Sequence, residues 1–367
     1  MQTPSIEDFK KIVSKLAEFI RLSQRLKPND SYLIVNRNSP VLSKAAVEAA
    51  ESCRLNVRRF DLPASQPYEH FPEELLKLLR ERTPKGGMGL FDYSEHQDWS
   101  LKELGARIEL LFDVIEEVPI SWAHSPQITL DMAINGPLQC DYRRLATEAE
   151  QMMQKLKNVK KLHITAPGGS DIEIVLPESV KFETDCIIVP PNIYNKPGKF
   201  GNLPVGEVWA EKGQFIEVQD NQSGKKITQH YPVKLIANGT WVCDVCIGGY
   251  NERIAPEKPI TVELEDGVIT NFHCDDPGPA PVFEKMLATQ HRYGLPTILE
   301  EVGIGLNERA RLTGNMLEDE KLRGTCHIAP GNIRYHADML VNKPTIKATH
   351  LNGMTQEIVT NGMLALP

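Results

Sequence analysis

The chain has no run of about 18 consecutive apolar residues, the length at which a segment can cross a membrane as a helix. Nor does it have a block of lysine and arginine long enough to follow a phosphate backbone. Its formal charge of -8 and pI near 5.8 disfavour nucleic-acid and anionic-membrane partners alike. The patterns GxGxxG and GxxxxGK[ST] are both absent, so nothing marks a nucleotide-phosphate cradle. Cysteine is sparse and odd in number: seven, at 53, 140, 186, 243, 246, 274 and 326, which argues against a disulfide framework and for reduced thiols. The close pair Cys243 and Cys246, in WVCDVCIGG, lacks the second CxxC of a zinc ribbon. Its surroundings read as an apolar strand with two buried thiols on opposite faces. The opening MQTPSIEDFKKIVSKLAEFI mixes charge with apolar residues and lacks the basic-then-apolar layout of a secretion signal. These absences together lead to the expectation of a soluble, cytoplasmic protein.

What is present is enough for two domains: 367 residues, 41% of them hydrophobic and 25% charged. Apolar positions Ile12, Val13, Leu16, Phe19, Ile20 and Leu22 recur at helical spacing, KPND breaks the pattern, and SYLIVN follows as a strand. SPVLSKAAVEAAESCRLNV and PEELLKLLRERT repeat the helical period, alternating with the strand-like VRRFDL and GMGLFD. Such alternation predicts a doubly wound α/β domain with a parallel or mixed sheet, over 1–158. YRRLATEAEQMMQKLKN is one more helix, after which KKLHITAPGGSDIEIVLP folds as two strands across a Gly-Gly turn. QFIEV, VKLIANGTWVCDVCI and ITVELEDGVITNFHC continue in β texture, the last as a hairpin turning at Asp266 and Gly267. An α+β domain rich in antiparallel strands is therefore expected over 159–367.

The chemistry-bearing residues concentrate near the end, in GTCHIAPGNIRYHADMLV. In an extended segment His336 and Asp338 leave the same face, and imidazole nitrogen and carboxylate oxygen both suit a borderline divalent metal. Pro330-Gly331-Asn332 can reverse the chain and bring His327 beside His336. NLPVGEVW and ILEEVGIGLN each set a glutamate, Glu207 and Glu301, beside glycine and β-branched residues, where an ionised carboxylate needs a compensating cation. For the acidic run LEDE before Lys321, a solvated helix face is the expectation. His273, in NFHCDDPG, reads as an ordinary loop residue.

In order and wording, NLPVGEV, EEVGIGLN, LEDEKLRGTCHIAPG, HAD and GGSDIEI resemble the thermophilic-metalloprotease-like aminopeptidases, the group that includes aminopeptidases T and S. The resemblance implies a C-terminal metal-binding catalytic domain with two divalent ions (Zn, Co, Mn or Mg) held by Glu207, Glu301, His327, His336 and Asp338. It implies hydrolysis of an amide bond of a short peptide or peptide-like metabolite by an activated water, with Glu301 moving the proton, and a homodimer. The family has a tyrosine seven residues after the histidine of HIAxG. Here that position is Arg334, a candidate for positive charge at the site, and Tyr335 follows it as the candidate oxyanion stabiliser. The stretch from His327 to HAD is also shorter than in the family. ITVELEDGVITNFH, GIGLNERA and HAD resemble in turn 2,5-dihydroxypyridine 5,6-dioxygenase, which implies as the alternative one Fe(II) held by two histidines and a carboxylate.

Overall fold

The structure, a computed structural model, describes residues 4–62, 73–80, 85–91, 120–189, 199–292 apart from 212, 220, 222, 223, 225 and 233, then 294–331 and 336–366. The chain divides into two compact units. The first is Met1–Thr147 with Thr184–Gly206 and Asn307–Ala310, and the second is Glu148–Glu183, Glu207–Leu306 and Arg311–Pro367. The units are thus interleaved along the sequence, where the reading above placed a single division at 158/159. No helix among the described residues is long and apolar enough to cross a membrane.

The first unit opens with α1 (Ile6–Leu22), whose N-cap Ser5 accepts from the Asp8 amide and whose buried stripe is Ile12, Leu16, Phe19 and Ile20. There follow β1 (Ser31–Arg37), α2 (Pro40–Ser52), β2 (Asn56–Asp61), α3 (Glu73–Arg80), β3 (Gly86–Phe91), β4 (Ser121–Pro126) and α4 (Leu130–Ile134), and then α5 (Tyr142–Lys155), which begins in the first unit and ends in the second. With β8 (Lys199–Asn202) the strands form one parallel sheet in the order β2-β1-β3-β4-β8. Both faces are covered. Leu33 and Val35 pack with Leu75 and Leu79 of α3 and with Trp122, while Tyr32 turns the other way and donates its hydroxyl to Gln24 beyond α1. This is the expected parallel α/β arrangement, with β8 supplied by a later part of the chain.

In the second unit the antiparallel expectation holds. β5 (Val159–Thr165), β6 (Asp171–Val175), β12 (Ile236–Cys243), β14 (Ile260–Glu265), β15 (Val268–Cys274), β19 (Thr345–His350), β20 (Thr355–Thr360) and β21 (Met363–Leu364) make an eight-stranded sheet ordered β15-β14-β12-β6-β5-β19-β20-β21. A second sheet joins β7 (Lys181–Thr184), β9 (Glu207–Glu211), β13 (Cys246–Ile247), β16 (Leu299–Gly305), β17 (Cys326–Pro330) and β18 (Met339–Val341) in the order β13-β18-β17-β16-β9-β7. Among the described residues β10 (Gly213–Gln219) pairs with β11 (Lys226–Pro232) alone, and the further helices are α6 (Ala280–Arg292) and the single turn α7 (Met316–Asp319). The strand expected through WVCDVCI is broken: Cys243 ends β12 in the larger sheet and Cys246 begins β13 in the smaller one. Both thiols are buried and reduced, as expected, and the Cys243 thiol donates to the Cys246 carbonyl.

Candidate metal centre

The site is built on one face of three adjacent strands. β16 places Glu301, Gly303 and Gly305 on the same side by simple alternation. Gly303 pairs with His327 on β17, and Gly305 pairs with Glu207 on β9. The two glycines make room where their neighbours need it. A β-carbon on Gly303 would lie 2.2 Å from His327 Cε1 and 2.3 Å from Nε2, so the imidazole lies directly across the glycine backbone. A β-carbon on Gly305 would lie 2.1 Å from the Leu322 carbonyl, so the turn carrying Lys321 packs against the strand at that point.

Glu207, Glu301 and His327 accordingly converge, each offering a ligand atom within 4.8 Å of the others. His327 Nε2 donates to Glu301 Oε1 at 3.1 Å and stands 3.8 Å from Glu207 Oε2 and 4.0 Å from Asp338 Oδ1. His336 Nε2 is 3.7 Å from the same Asp338 oxygen. The hairpin that brings the two histidines together is anchored by pairing of β17 with β18 and by a bridge between Gly331 and His336. Arg334 and Tyr335 lie outside the described residues. The five residues named as ligands from the sequence are therefore assembled in one place, although they come from three strands and a loop.

Three further side chains belong to the cluster. Lys321 is fully buried, contacts Glu207 Oε1, and is 2.7 Å from Glu320 Oε1. Glu300 accepts from His336 Nδ1 at 3.1 Å. The acidic run is thus no solvated helix face: Glu318, Asp319, Glu320 and Lys321 are all buried. Asn315 caps α7, Asp319 accepts from the Thr313 and Gly314 amides at 2.7 and 2.8 Å, and Glu318 binds Arg311 Nε at 2.8 Å. In the sequence Lys321 stands inside LEDEKLRGTCHIAPG, one of the stretches that carry the resemblance, and Glu300 had no signal beyond its place next to Glu301. His273, read as a loop residue, instead lies near the end of β15, paired with Thr261, where its side chain is exposed beside Asp275.

The electrostatics call for positive charge. Among the described residues the cluster holds five carboxylates, Glu207, Glu300, Glu301, Glu320 and Asp338, of which Lys321 pairs with Glu207 and Glu320, and four of the five are at most 7% exposed. Burial opposes a charge on His327, but its bond to Glu301 and the charges of Asp338 and Glu207 outweigh that and raise it to about 9. Burial disfavours a charged His336 too, and Glu300 and Asp338 reverse this, holding it well above the usual histidine range. Burial would raise Glu301, yet the two histidines and Lys321 leave it below the ordinary carboxylate value. Glu320 stays raised by burial despite Lys321. A divalent ion bonded at about 2.0–2.2 Å to carboxylate oxygen and imidazole nitrogen spaces neighbouring donors roughly 3–4 Å apart, which matches the distances above. Donor chemistry, spacing and excess negative charge all fit a metal.

No family profile and no curated protein matches the sequence. Among solved structures the chain is similar to a 2,5-dihydroxypyridine dioxygenase from Pseudomonas putida KT2440, at 17% identity over 98% of both chains, with a TM-score of 0.64. It is similar to nearly the same degree to AmpT from Thermus thermophilus, at 15% identity over 98% of this chain and 100% of that one, with a TM-score of 0.63. At these identities the likeness is one of fold: the chain carries, along essentially its whole length, the architecture that those two proteins share.

Proposed function

We propose that the chain is a metal-dependent hydrolase of the aminopeptidase kind, cleaving an amide bond of a short peptide or peptide-like metabolite. The observation that carries this reading is the donor set itself: buried Glu207, Glu301 and His327, with Asp338 and the partly exposed His336 beside them, a set rich in carboxylates. Three carboxylates and two imidazoles suit a pair of divalent ions better than one. In this proposal all five residues hold the ions, and the catalytic domain is 159–367. Bound there, the cations would supply Lewis acidity toward the substrate carbonyl and lower the pKa of an attacking water.

The protein's own groups would do the rest. Glu301, kept ionised at neutral pH by the two histidines and Lys321, is suited to accept a proton as the water oxygen bonds to the carbonyl carbon. It would then return that proton to the amine nitrogen as the carbon–nitrogen bond breaks. Lys321 fixes Glu207 and Glu320 by direct ion pairs, so that Glu207 presents its other oxygen to the cluster. Arg334 and Tyr335 are proposed to contact substrate. A homodimer in the cytoplasm is the proposed working form.

One observation favours a second reading. Lys321 already engages Glu207, and His327, His336 and Asp338 by themselves make the two-histidine, one-carboxylate set of a mononuclear iron oxygenase. The two readings separate on purified protein. Close to two divalent ions per chain, release of N-terminal residues from a peptide panel and loss of that activity in Glu301→Gln support the hydrolase. One iron per chain with oxygen uptake on a hydroxylated pyridine supports the dioxygenase and rejects the hydrolase.

A further inference from the structure

Successive residues of a regular strand point to opposite faces, so Glu300 and Glu301 ought not to serve the same site. In β16 they do. Leu299 pairs with Pro330 and Glu301 with Ala329, so two steps on β16 answer one step on β17 and Glu300 is the extra residue of a β-bulge. The bulge turns the Glu300 side chain back to the face where Glu301 already lies. There it is buried, 6% exposed, with Oε2 3.1 Å from His336 Nδ1, while Glu301 reaches His327.

We infer that Glu300 is a positioning residue for metal binding: its carboxylate takes the Nδ1–H of His336, sets the tautomer, and aims Nε2 toward Asp338 and the ion. The chemistry is direct. A neutral imidazole that donates from one nitrogen has its lone pair on the other, and a carboxylate behind the ring makes that lone pair more basic. His336 needs such a brace because it lies in none of the described strands: its backbone pairs in an isolated bridge with Gly331 rather than in a continuous ladder. His327, by contrast, is fixed within β17 and against Gly303. The inference rests on the reading of His336 as a metal ligand.

The test is a titration of metal-stripped protein with Zn²⁺ alone against a competing chelator, for wild type, Glu300→Ala, Glu300→Gln, His336→Ala and the double variant Glu300→Ala/His336→Ala. Glu300→Ala is expected to weaken Zn²⁺ binding by about 10- to 100-fold, the usual scale for such outer partners. Glu300→Gln keeps an acceptor oxygen for Nδ1–H and is expected to recover most of that loss. In the double variant the loss should be no greater than in His336→Ala, because the brace has nothing left to hold. Zn²⁺ binding by Glu300→Ala within about twofold of wild type, or losses that simply add in the double variant, would overturn the inference while leaving His336 a ligand. Unchanged binding by His336→Ala would remove the metal reading and the inference together. If Glu300→Ala does not fold, Glu300→Leu, close in shape and without an acceptor for Nδ1–H, takes its place in the same cycle.

Discussion

His327 carries the pH behaviour of the metal-stripped protein. Its value in the folded chain is raised to about 9 from an ordinary 6.5, and His336 is raised in the same direction. Folding therefore takes up protons at these groups. The stability they contribute is fully present below pH 6.5 and is lost as the pH rises through about 9. For His327 that contribution is on the order of 3 kcal/mol. Urea unfolding of stripped protein should show lower stability at pH 9.5 than at pH 6, and added Zn²⁺ should remove most of the difference. Stability that rises across that interval would contradict the charge arrangement. Metal and protons also compete for the same nitrogens, so Zn²⁺ affinity should increase with pH up to about 9.

Among the strands, β16 decides most. Gly303 is open precedent for nothing larger: alanine there would press on the His327 ring, and relieving the contact means displacing either the imidazole or the pairing of β16 with β17. Gly303→Ala should cost about 1–3 kcal/mol in chemical denaturation, the scale of overpacking. It should also weaken Zn²⁺ binding by at least about tenfold, since a shifted donor is a lost donor. Wild-type affinity in this variant would mean that the ring is not where binding occurs. The elements also show what was legible beforehand. The β14–β15 hairpin could be read from Asp266-Gly267 because both residues need positive φ, and both have it, 49° and 76°. The five donors could be read because their motifs carry them in the open. Neither the bulge at Glu300 nor the burial of Lys321 could, since one depends on how β16 registers with β17 and the other on a turn folding inward over Gly305. Alternation and charge patterning are rules for regular elements in water, and both residues sit where those rules give way.

For the whole molecule, stability and metal content should be linked. The five carboxylates of the cluster repel one another, and a cation that binds only the folded arrangement stabilises it by about 2.7 kcal/mol when present at 100 times its dissociation constant. Calorimetry of the unit that holds the site should show its melting temperature falling by several degrees on chelation and returning with Zn²⁺ or Mn²⁺. An unchanged transition would argue that protons and Lys321 alone satisfy the cluster. The fold, by itself, is shared with an AmpT and with a dioxygenase, so chemistry has to be decided by side chains and their aim. Here the extra residue of β16 has a bearing on how relatives are compared. A protein with one residue fewer before its counterpart of Glu301 would spell the same ligands, score the same in any match of motifs, and yet point a different side chain at the second histidine. Chains of this architecture are best sorted by counting residues across that strand, before their signature letters are compared.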